Sequence, residues 1–120
     1  MAKDLYIGID VGSTTIKLVI MDENTNIIES SYNRHFSDTK RSIYNCLKEL
    51  ITKYPNNNYK ITLTGSGAMM ISKALKLPFI QEVISCKRVV EKYIPKTDVV
   101  IELGGEDAKI IYFGKSIEQR

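Results

Sequence analysis

The stretch Ile7-Gly8-Ile9-Asp10-Val11-Gly12-Ser13-Thr14-Thr15-Ile16-Lys17 decides the fold of this 120-residue chain. The apolar residues on either side of its glycine, serine and threonine cluster predict two β-strands joined by a tight turn. The first strand ends at Asp10, which is thereby delivered to the edge of a cleft. Because Gly12 has no side chain, the backbone there can approach a ligand closely. The stretch therefore predicts a β-hairpin with a ligand site at its tip.

The chemistry of this hairpin tip favours an anion accompanied by a metal ion. Successive backbone amides from Gly12 to Thr15 can point at one spot and form a concave anion site. Side-chain donors are added at four positions, namely Ser13, Thr14, Thr15 and Lys17. Asp10 would repel an anion directly, but it can hold a hydrated Mg²⁺ that bridges phosphates. The alternative is a plain hairpin turn, in which the same residue types are common.

A second stretch, Val99-Val100-Ile101-Glu102-Leu103-Gly104-Gly105-Glu106-Asp107-Ala108-Lys109, repeats this design of strand, acidic residue, glycine turn, lysine and strand. Two such hairpins facing each other could clamp the phosphates and the metal ion of a nucleotide from both sides. An ordinary P-loop enzyme is excluded, because the chain contains no G-x-x-x-x-G-K-[ST] segment.

The rest of the chain alternates between strand and helix periodicity, which predicts an α/β protein. Apolar residues at helical spacing predict a helix capped by Ser37 or Asp38 and another near 82–93. Between them, Gly65, Ser66 and Gly67 are expected to open a further helix that runs to about Leu75. The element order is βββαβαα followed by the second hairpin. Five strands are expected in one mixed β-sheet flanked by helices: 5–10, 16–21, 27–34, 61–64 and 99–102.

Composition and charge exclude several classes of function. The chain is 43% hydrophobic and 26% charged, as globular proteins are, and its formal net charge is only +3. It contains no basic run, so nucleic-acid binding is not expected. No segment has the length and apolar character of a membrane span or the pattern of a secretory signal. A cytoplasmic protein with no membrane partner is therefore expected.

The cysteines and the single histidine indicate no further site. Cys46 and Cys86 are far apart, fit no disulfide or metal spacing and fall on apolar helix faces, so both are predicted to be buried core thiols. His35 has no partner at a metal-ligand or catalytic spacing, and we expect a surface or strand-end residue.

The glycine motifs together resemble those of a known superfamily. The segments IGIDVGSTTIK and IELGGEDAK resemble the first and second phosphate motifs of the superfamily of acetate and sugar kinases, heat-shock proteins and actin. The form G-G-E-D-x-K, preceded by IDVGSTT and by Thr64-Gly65-Ser66-Gly67, is similar to that of ATP-dependent activators of 2-hydroxyacyl-CoA dehydratases and the related benzoyl-CoA reductase ATPase subunits. The resemblance implies a ribonuclease H-like, actin-like ATPase lobe over 1–96 and the start of a second lobe over 97–120.

The resemblance also implies roles for individual residues. Asp10 and Glu102 take the catalytic positions, with Asp10 holding Mg²⁺ through water. The implied nucleotide-binding residues are Gly12, Ser13, Thr14, Thr15, Lys17, Gly104, Gly105, Glu106 and Asp107. The sequence departs from the family where Glu102 replaces the usual Asp, and where T-G-S-G-A replaces T-G-Y-G-R. The second departure leaves open whether this motif contacts a ligand or only opens a helix.

The implied function couples ATP hydrolysis to electron transfer. In the family, a low-potential electron passes from a four-iron four-sulfur cluster, held between two subunits of a homodimer, to a dehydratase or reductase partner. The cluster's cysteines lie beyond the second motif, so neither Cys46 nor Cys86 corresponds to them. The family's domain is longer than this chain, which resembles its N-terminal piece. We therefore expect these 120 residues alone to bind ATP weakly and not to hydrolyse it.

Two other functions stay open. A sugar-type kinase of the same superfamily would phosphorylate a small molecule and needs a general base near the acceptor hydroxyl. A non-catalytic module would bind ATP without turnover. The G-G-E-D-x-K form favours the activator.

Overall fold

A computed structural model of the protein describes residues 3–35, 37–103, 108–113 and 118–119. The chain divides into two compact units, Met1–Phe79 and Ile80–Arg120. The lobe boundary between 96 and 97 stays a prediction, and the helix just before it is grouped with the second unit. No helix in the described part of the chain is long and apolar enough to cross a membrane.

The first unit is built on a four-stranded mixed sheet. Its elements are β1 Asp4–Val11, β2 Thr15–Met21, β3 Ile27–Arg34, α1 Thr39–Lys53, β4 Asn58–Thr64 and α2 Met69–Leu75. The strand order is β3-β2-β1-β4, in which β1, β2 and β3 are antiparallel neighbours and β4 runs parallel to β1. The predicted α/β class and the predicted hairpin at the start of the chain are both confirmed.

One face of this sheet is apolar and carries the core. Successive side chains of a strand point to opposite faces, so alternate residues of β1 and β2 are buried: Leu5, Ile7, Ile9, Val11, Ile16, Leu18 and Ile20. Helix α1 adds Ile43 and Leu50, which lie about two turns apart on one side of the helix. Burying each such side chain contributes about 1.5–3 kcal/mol. The opposite face of β1 carries Asp10, so the core and the polar chemistry lie on different sides of the sheet.

The second unit contains α3 Glu82–Tyr93 and a separate antiparallel sheet of β5 Val99–Leu103, β6 Ala108–Tyr112 and β7 Glu118–Gln119, in the order β5-β6-β7. The prediction that 99–102 joins the same sheet as the first four strands is wrong. Strand β5 pairs instead with β6, its neighbour in the sequence. Closing a short hairpin loop costs less chain entropy than pairing with a distant strand.

Helix α1 begins after an Asp38 cap, one of the two cap residues that the sequence predicted. The Asp38 side chain accepts a hydrogen bond from the Arg41 backbone N–H at 3.3 Å, which satisfies one of the unpaired donors of the first turn. We expect Asp38→Ala to lower the free energy of unfolding by about 1 kcal/mol, as for other N-cap residues. Urea denaturation followed by circular dichroism measures this loss.

Asp38→Asn is the matched control for this cap. It keeps an oxygen acceptor and removes only the exposed 3.8 Å contact between Asp38 Oδ2 and Arg41 Nε, so its stability should stay close to that of the wild type. An asparagine variant as unstable as the alanine variant would mean that the ion pair, and not the cap, is the source of the effect.

Candidate functional site

The polar face of the first sheet holds a row of four side chains at the end of β1. Asp10 is the register partner of Lys17 on β2 and of Thr64 on β4, and Lys17 is in turn the partner of Tyr32 on β3. Directly paired residues of neighbouring strands share a face. Tyr32 was not predicted to belong to the site, because the pairing of β2 with β3 fixes its position and no local pattern indicates it.

Lys17 lies between Asp10 and Tyr32 in this row and contacts both. Its Nζ lies 3.6 Å from Asp10 Oδ2 and 5.6 Å from the centroid of the Tyr32 ring. The Asp10 side chain is 32% exposed and that of Lys17 is 46% exposed, so water screens their attraction and both charges stay available. A carboxylate open to a cation and an ammonium group open to an anion therefore stand side by side, which suits a phosphate with its metal ion.

The tip of the β1–β2 hairpin is closed by a hydrogen bond from Gly12 N–H to Thr15 O at 2.9 Å. One of the amides predicted to form the anion site is thus engaged within the hairpin, and a ligand role for Gly12 stays a prediction. In the described part of the chain, neither the Ser13 nor the Thr14 N–H has a protein acceptor. Both amides are donors that the hairpin tip can offer to an anion.

The T-G-S-G motif packs against the end of β1. Gly65 has a φ of +101°, and a Cβ added there would lie 2.4 Å from Val11 O and 2.5 Å from Asp10 Oδ1. Gly67 N–H donates to Val11 O at 2.9 Å. The motif precedes α2, but it also lies against Asp10, whose carboxylate is the candidate metal ligand. The motif therefore does more than open helix α2, because its loop packs against Asp10 and forms one wall of the candidate site.

His35 lies behind the hairpin tip. It follows β3 directly, so the strand-end expectation is confirmed, but only 5% of the residue is exposed and it is not a surface residue. Its Nε2 is 2.9 Å from Gly12 O, its Nδ1 is 3.0 Å from the Ser37 N–H, and its own N–H donates to Thr14 O at 3.1 Å. The sequence did not predict a role for His35, because its contact with Gly12 joins the end of β3 to the end of β1 and depends on how the strands are paired.

The second hairpin is described only in part. Glu102 on β5 is the register partner of Lys109 on β6, and Lys109 Nζ lies 2.6 Å from Glu82 Oε2 on α3. The predicted ligand residues of its turn, Gly104, Gly105, Glu106 and Asp107, lie outside the described residues. Asp10 belongs to the first unit and Glu102 to the second. The clamping of phosphates between the two hairpins stays a prediction.

The described residues do not fit an iron–sulfur cluster. Cys46 and Cys86 are both free thiols, lie in different units and are half-buried, less than the full burial that was expected. Within residues 3–35, 37–103, 108–113 and 118–119, no three His, Cys, Asp or Glu side chains are grouped as metal ligands would be. Neither cysteine is therefore assigned a cluster role.

Both thiols should react slowly with alkylating agents at neutral pH. Burial raises the pKa of Cys46 and of Cys86, and the carboxylates of Glu49 and Glu102 respectively raise them further. Because the thiolate is the nucleophile, each cysteine should react with iodoacetamide more slowly than glutathione does. Mass spectrometry of Cys46→Ala and Cys86→Ala follows each thiol separately. Denaturation in urea should restore the free-thiol rate, and equal rates in the native protein would contradict the prediction.

The strand order, the glycine hairpin at the end of β1 and the T-G-S-G wall beside it define the class: this is the mixed α/β fold of the actin-like ATPases. A family model described as the ROK family matches residues 6–83. The chain belongs to the ROK family.

Two relatives match most of this chain, and one of them is a dehydratase activator. The chain is 32% identical over 112 residues to an uncharacterized protein of Methanocaldococcus jannaschii, covering 93% of this chain and 44% of that protein. It is 33% identical over 107 residues to the 2-hydroxyisocaproyl-CoA dehydratase activator of Clostridioides difficile, covering 87% of this chain and 39% of the activator. The chain thus spans less than half the length of these relatives.

A solved structure shares the fold and part of the sequence. It is the activator of the 2-hydroxyisocaproyl-CoA dehydratase from Clostridium difficile with bound ADPNP, with a TM-score of 0.70 and 26% identity. The match covers 97% of this chain and 45% of that chain. The predicted resemblance to dehydratase activators is confirmed.

Proposed function

We propose that this chain binds the phosphates of Mg-ATP at the tip of the β1–β2 hairpin. The observation that carries the proposal is the convergence of two segments on Asp10 at the end of β1: the side chain of Lys17 on β2, and the Gly65 turn. The similarity to an activator structure with bound ADPNP supports the same ligand class.

The residues at the tip divide the binding of Mg-ATP between them. Asp10 holds the hydrated Mg²⁺, an ion that prefers oxygen ligands and keeps much of its water. Lys17 and the amides of Ser13 and Thr14 contact phosphate oxygens, and charge-assisted bonds of this kind contribute about 1.5–3 kcal/mol each. When bound, the metal ion neutralises charge that develops during phosphoryl transfer. The hydroxyl groups of Ser13, Thr14 and Thr15 can rotate to donate further hydrogen bonds to phosphate oxygens.

The second hairpin completes the site in this proposal. Glu102 would help to hold the metal ion through water, and the turn residues Gly104, Gly105, Glu106 and Asp107 would bind the phosphates. The residues 1–96 then form the first lobe of the ATPase domain, and 97–120 begin the second. The repeated design of the two glycine hairpins supports this arrangement.

We further propose that the protein couples ATP hydrolysis to electron transfer into a 2-hydroxyacyl-CoA dehydratase-like partner, as a cytoplasmic homodimer. The support is the 33% identity to a dehydratase activator and the G-G-E-D-x-K segment. The four-iron four-sulfur cluster of such activators finds no ligand set among the described residues, so no step through it is assigned to this chain. The G-G-E-D-x-K segment favours this function over the sugar-type kinase and the non-catalytic module.

Titration of the ¹⁵N-labelled protein with Mg-ATP tests the binding site. We expect the amide resonances of Ser13, Thr14 and Thr15 to shift with increasing Mg-ATP, because their environment changes when phosphate arrives. Nuclear magnetic resonance detects this even where affinity is weak. Adenosine, which lacks phosphates, is the matched control and should leave these amides unchanged. Shifts of equal size with adenosine, or no shift at millimolar Mg-ATP, would refute a phosphate site here.

A further inference from the structure

We propose that His35 is a positioning residue that holds the tip of the β1–β2 hairpin in its phosphate-binding conformation. The inference rests on the proposed function and adds a residue that does not itself touch the nucleotide. The juxtaposition that carries it is the nearly fully buried His35, whose imidazole contacts the carbonyl oxygen of Gly12 and the N–H of Ser37 while its backbone N–H donates to Thr14 O.

The partners of the imidazole fix its protonation state and tautomer. A carbonyl oxygen can only accept, so Nε2, 2.9 Å from Gly12 O, carries the proton. A backbone N–H can only donate, so Nδ1, 3.0 Å from the Ser37 nitrogen, is unprotonated. Both nitrogens are satisfied only in the neutral ring with its proton on Nε2. Either the other tautomer or the cation would leave two donors facing each other at Ser37.

The two carbonyl anchors determine where the adjacent amides point. In a planar trans peptide, the C=O of one residue and the N–H of the next point in opposite directions. Holding Gly12 O towards the imidazole therefore turns the Ser13 N–H away from it. Holding Thr14 O towards the His35 backbone turns the Thr15 N–H away in the same manner. His35 thus turns two hairpin donors away from itself: the imidazole orients the Ser13 N–H, and the His35 backbone orients the Thr15 N–H.

A structural packing role alone does not account for these contacts. An apolar side chain of similar shape would fill the buried space without needing two polar partners, and polar groups are costly to bury unless they are hydrogen-bonded. The imidazole also joins the hairpin to the segment between β3 and α1, where Ser37 has a φ of +65°. A polar residue is needed at this buried position because only a hydrogen-bond donor can orient the Gly12–Ser13 peptide through Gly12 O.

Two variants separate the two imidazole hydrogen bonds. In His35→Gln, the amide nitrogen can take the place of Nε2 and still donate to Gly12 O. In His35→Asn, the shorter side chain can present an oxygen at the position of Nδ1 to the Ser37 N–H, but it does not reach Gly12. Both variants lose the ring, so a loss of packing alone should affect them alike. The readout is the initial slope of the Ser13 and Thr15 amide shifts against Mg-ATP concentration, measured together with the melting temperature of each variant.

We expect the slope to fall about tenfold in His35→Asn, which is about 1.4 kcal/mol, because the buried Gly12 carbonyl loses its donor. In His35→Gln, which keeps that donor, the slope should stay within about twofold of the wild type. Equal slopes in the two variants would overturn the inference. If the wild type binds but His35→Asn binds equally well, the positioning role fails while the phosphate site stands. If the wild type itself shows no response, the proposed function fails, and the inference fails with it.

The tautomer provides a test that needs no variant. The ¹⁵N resonances of the His35 ring in the wild-type protein at neutral pH should report a protonated Nε2 and an unprotonated Nδ1. A cationic ring, or a proton on Nδ1, would overturn the inference regardless of how the variants fold.

Discussion

Gly65→Ala is expected to lower the free energy of unfolding by about 3 kcal/mol and to abolish the response of the hairpin amides to Mg-ATP. Two penalties combine at this position. Alanine is strained at a φ of +101°, and its Cβ would lie 2.4 Å from the backbone oxygen of Val11. A backbone oxygen cannot rotate away as a flexible side chain can, so the Gly65 turn or the end of β1 must move. Either movement displaces Asp10, whose Oδ1 would be 2.5 Å from the same Cβ.

Gly8→Ala is the matched control for this variant. Gly8 lies on the same strand as Asp10, has no heavy atom within 4 Å of an added Cβ, and lacks a positive φ. Its replacement should leave stability unchanged or raise it slightly, because alanine has less conformational freedom than glycine in the unfolded chain. Chemical denaturation measures both variants. A Gly65→Ala protein as stable as Gly8→Ala would show that the turn is not packed against β1 as described.

Asp10→Asn is expected to remove the contribution of Mg²⁺ to ATP binding. Asparagine keeps the shape of the side chain but removes the charge that attracts the hydrated ion. The interaction of a carboxylate with such a partner is worth about 1.5–3 kcal/mol, so the affinity for Mg-ATP should fall about ten- to hundredfold. Titrations of the wild type and the variant with ATP, in the presence of Mg²⁺ and of a chelator, give this difference. Without Mg²⁺, the variant should bind ATP as tightly as the wild type or slightly more tightly, because it lacks the carboxylate that repels the phosphates.

Asp4→Asn controls for the loss of a carboxylate from this strand. Asp4 lies on the same face of β1, with its Oδ2 3.6 Å from Lys60 Nζ, the distance found between Asp10 and Lys17. It stands about 20 Å along the strand from Asp10. Both exposed ion pairs should contribute little to stability. If Asp4→Asn weakens Mg-ATP binding as strongly as Asp10→Asn does, a general field effect explains the result and Asp10 is not the metal ligand.

The sequence by itself determined the local elements of this protein and the position of its principal carboxylate. The alternation of apolar residues predicted β1 and β2, the glycine between them predicted their turn, and helical spacing predicted α3 at Glu82–Tyr93, the bounds that the structure has. These features depend on residues a few positions apart, so the pattern of one segment is enough to define them. The motif around Asp10 likewise carried the resemblance to the actin-like ATPases.

Only the tertiary structure decided which distant groups stand around Asp10. Gly65 contacts the end of β1 because β4 is parallel to β1, and Tyr32 stands beside Lys17 because of the register between β2 and β3. His35 reaches Gly12 for the same reason, although it looked like an isolated residue in the sequence. Strand β5 joined a second sheet rather than the first. Strand neighbours and register are set by the burial of whole faces, since a shift of one residue exchanges the buried and exposed sides, and no local pattern contains that information.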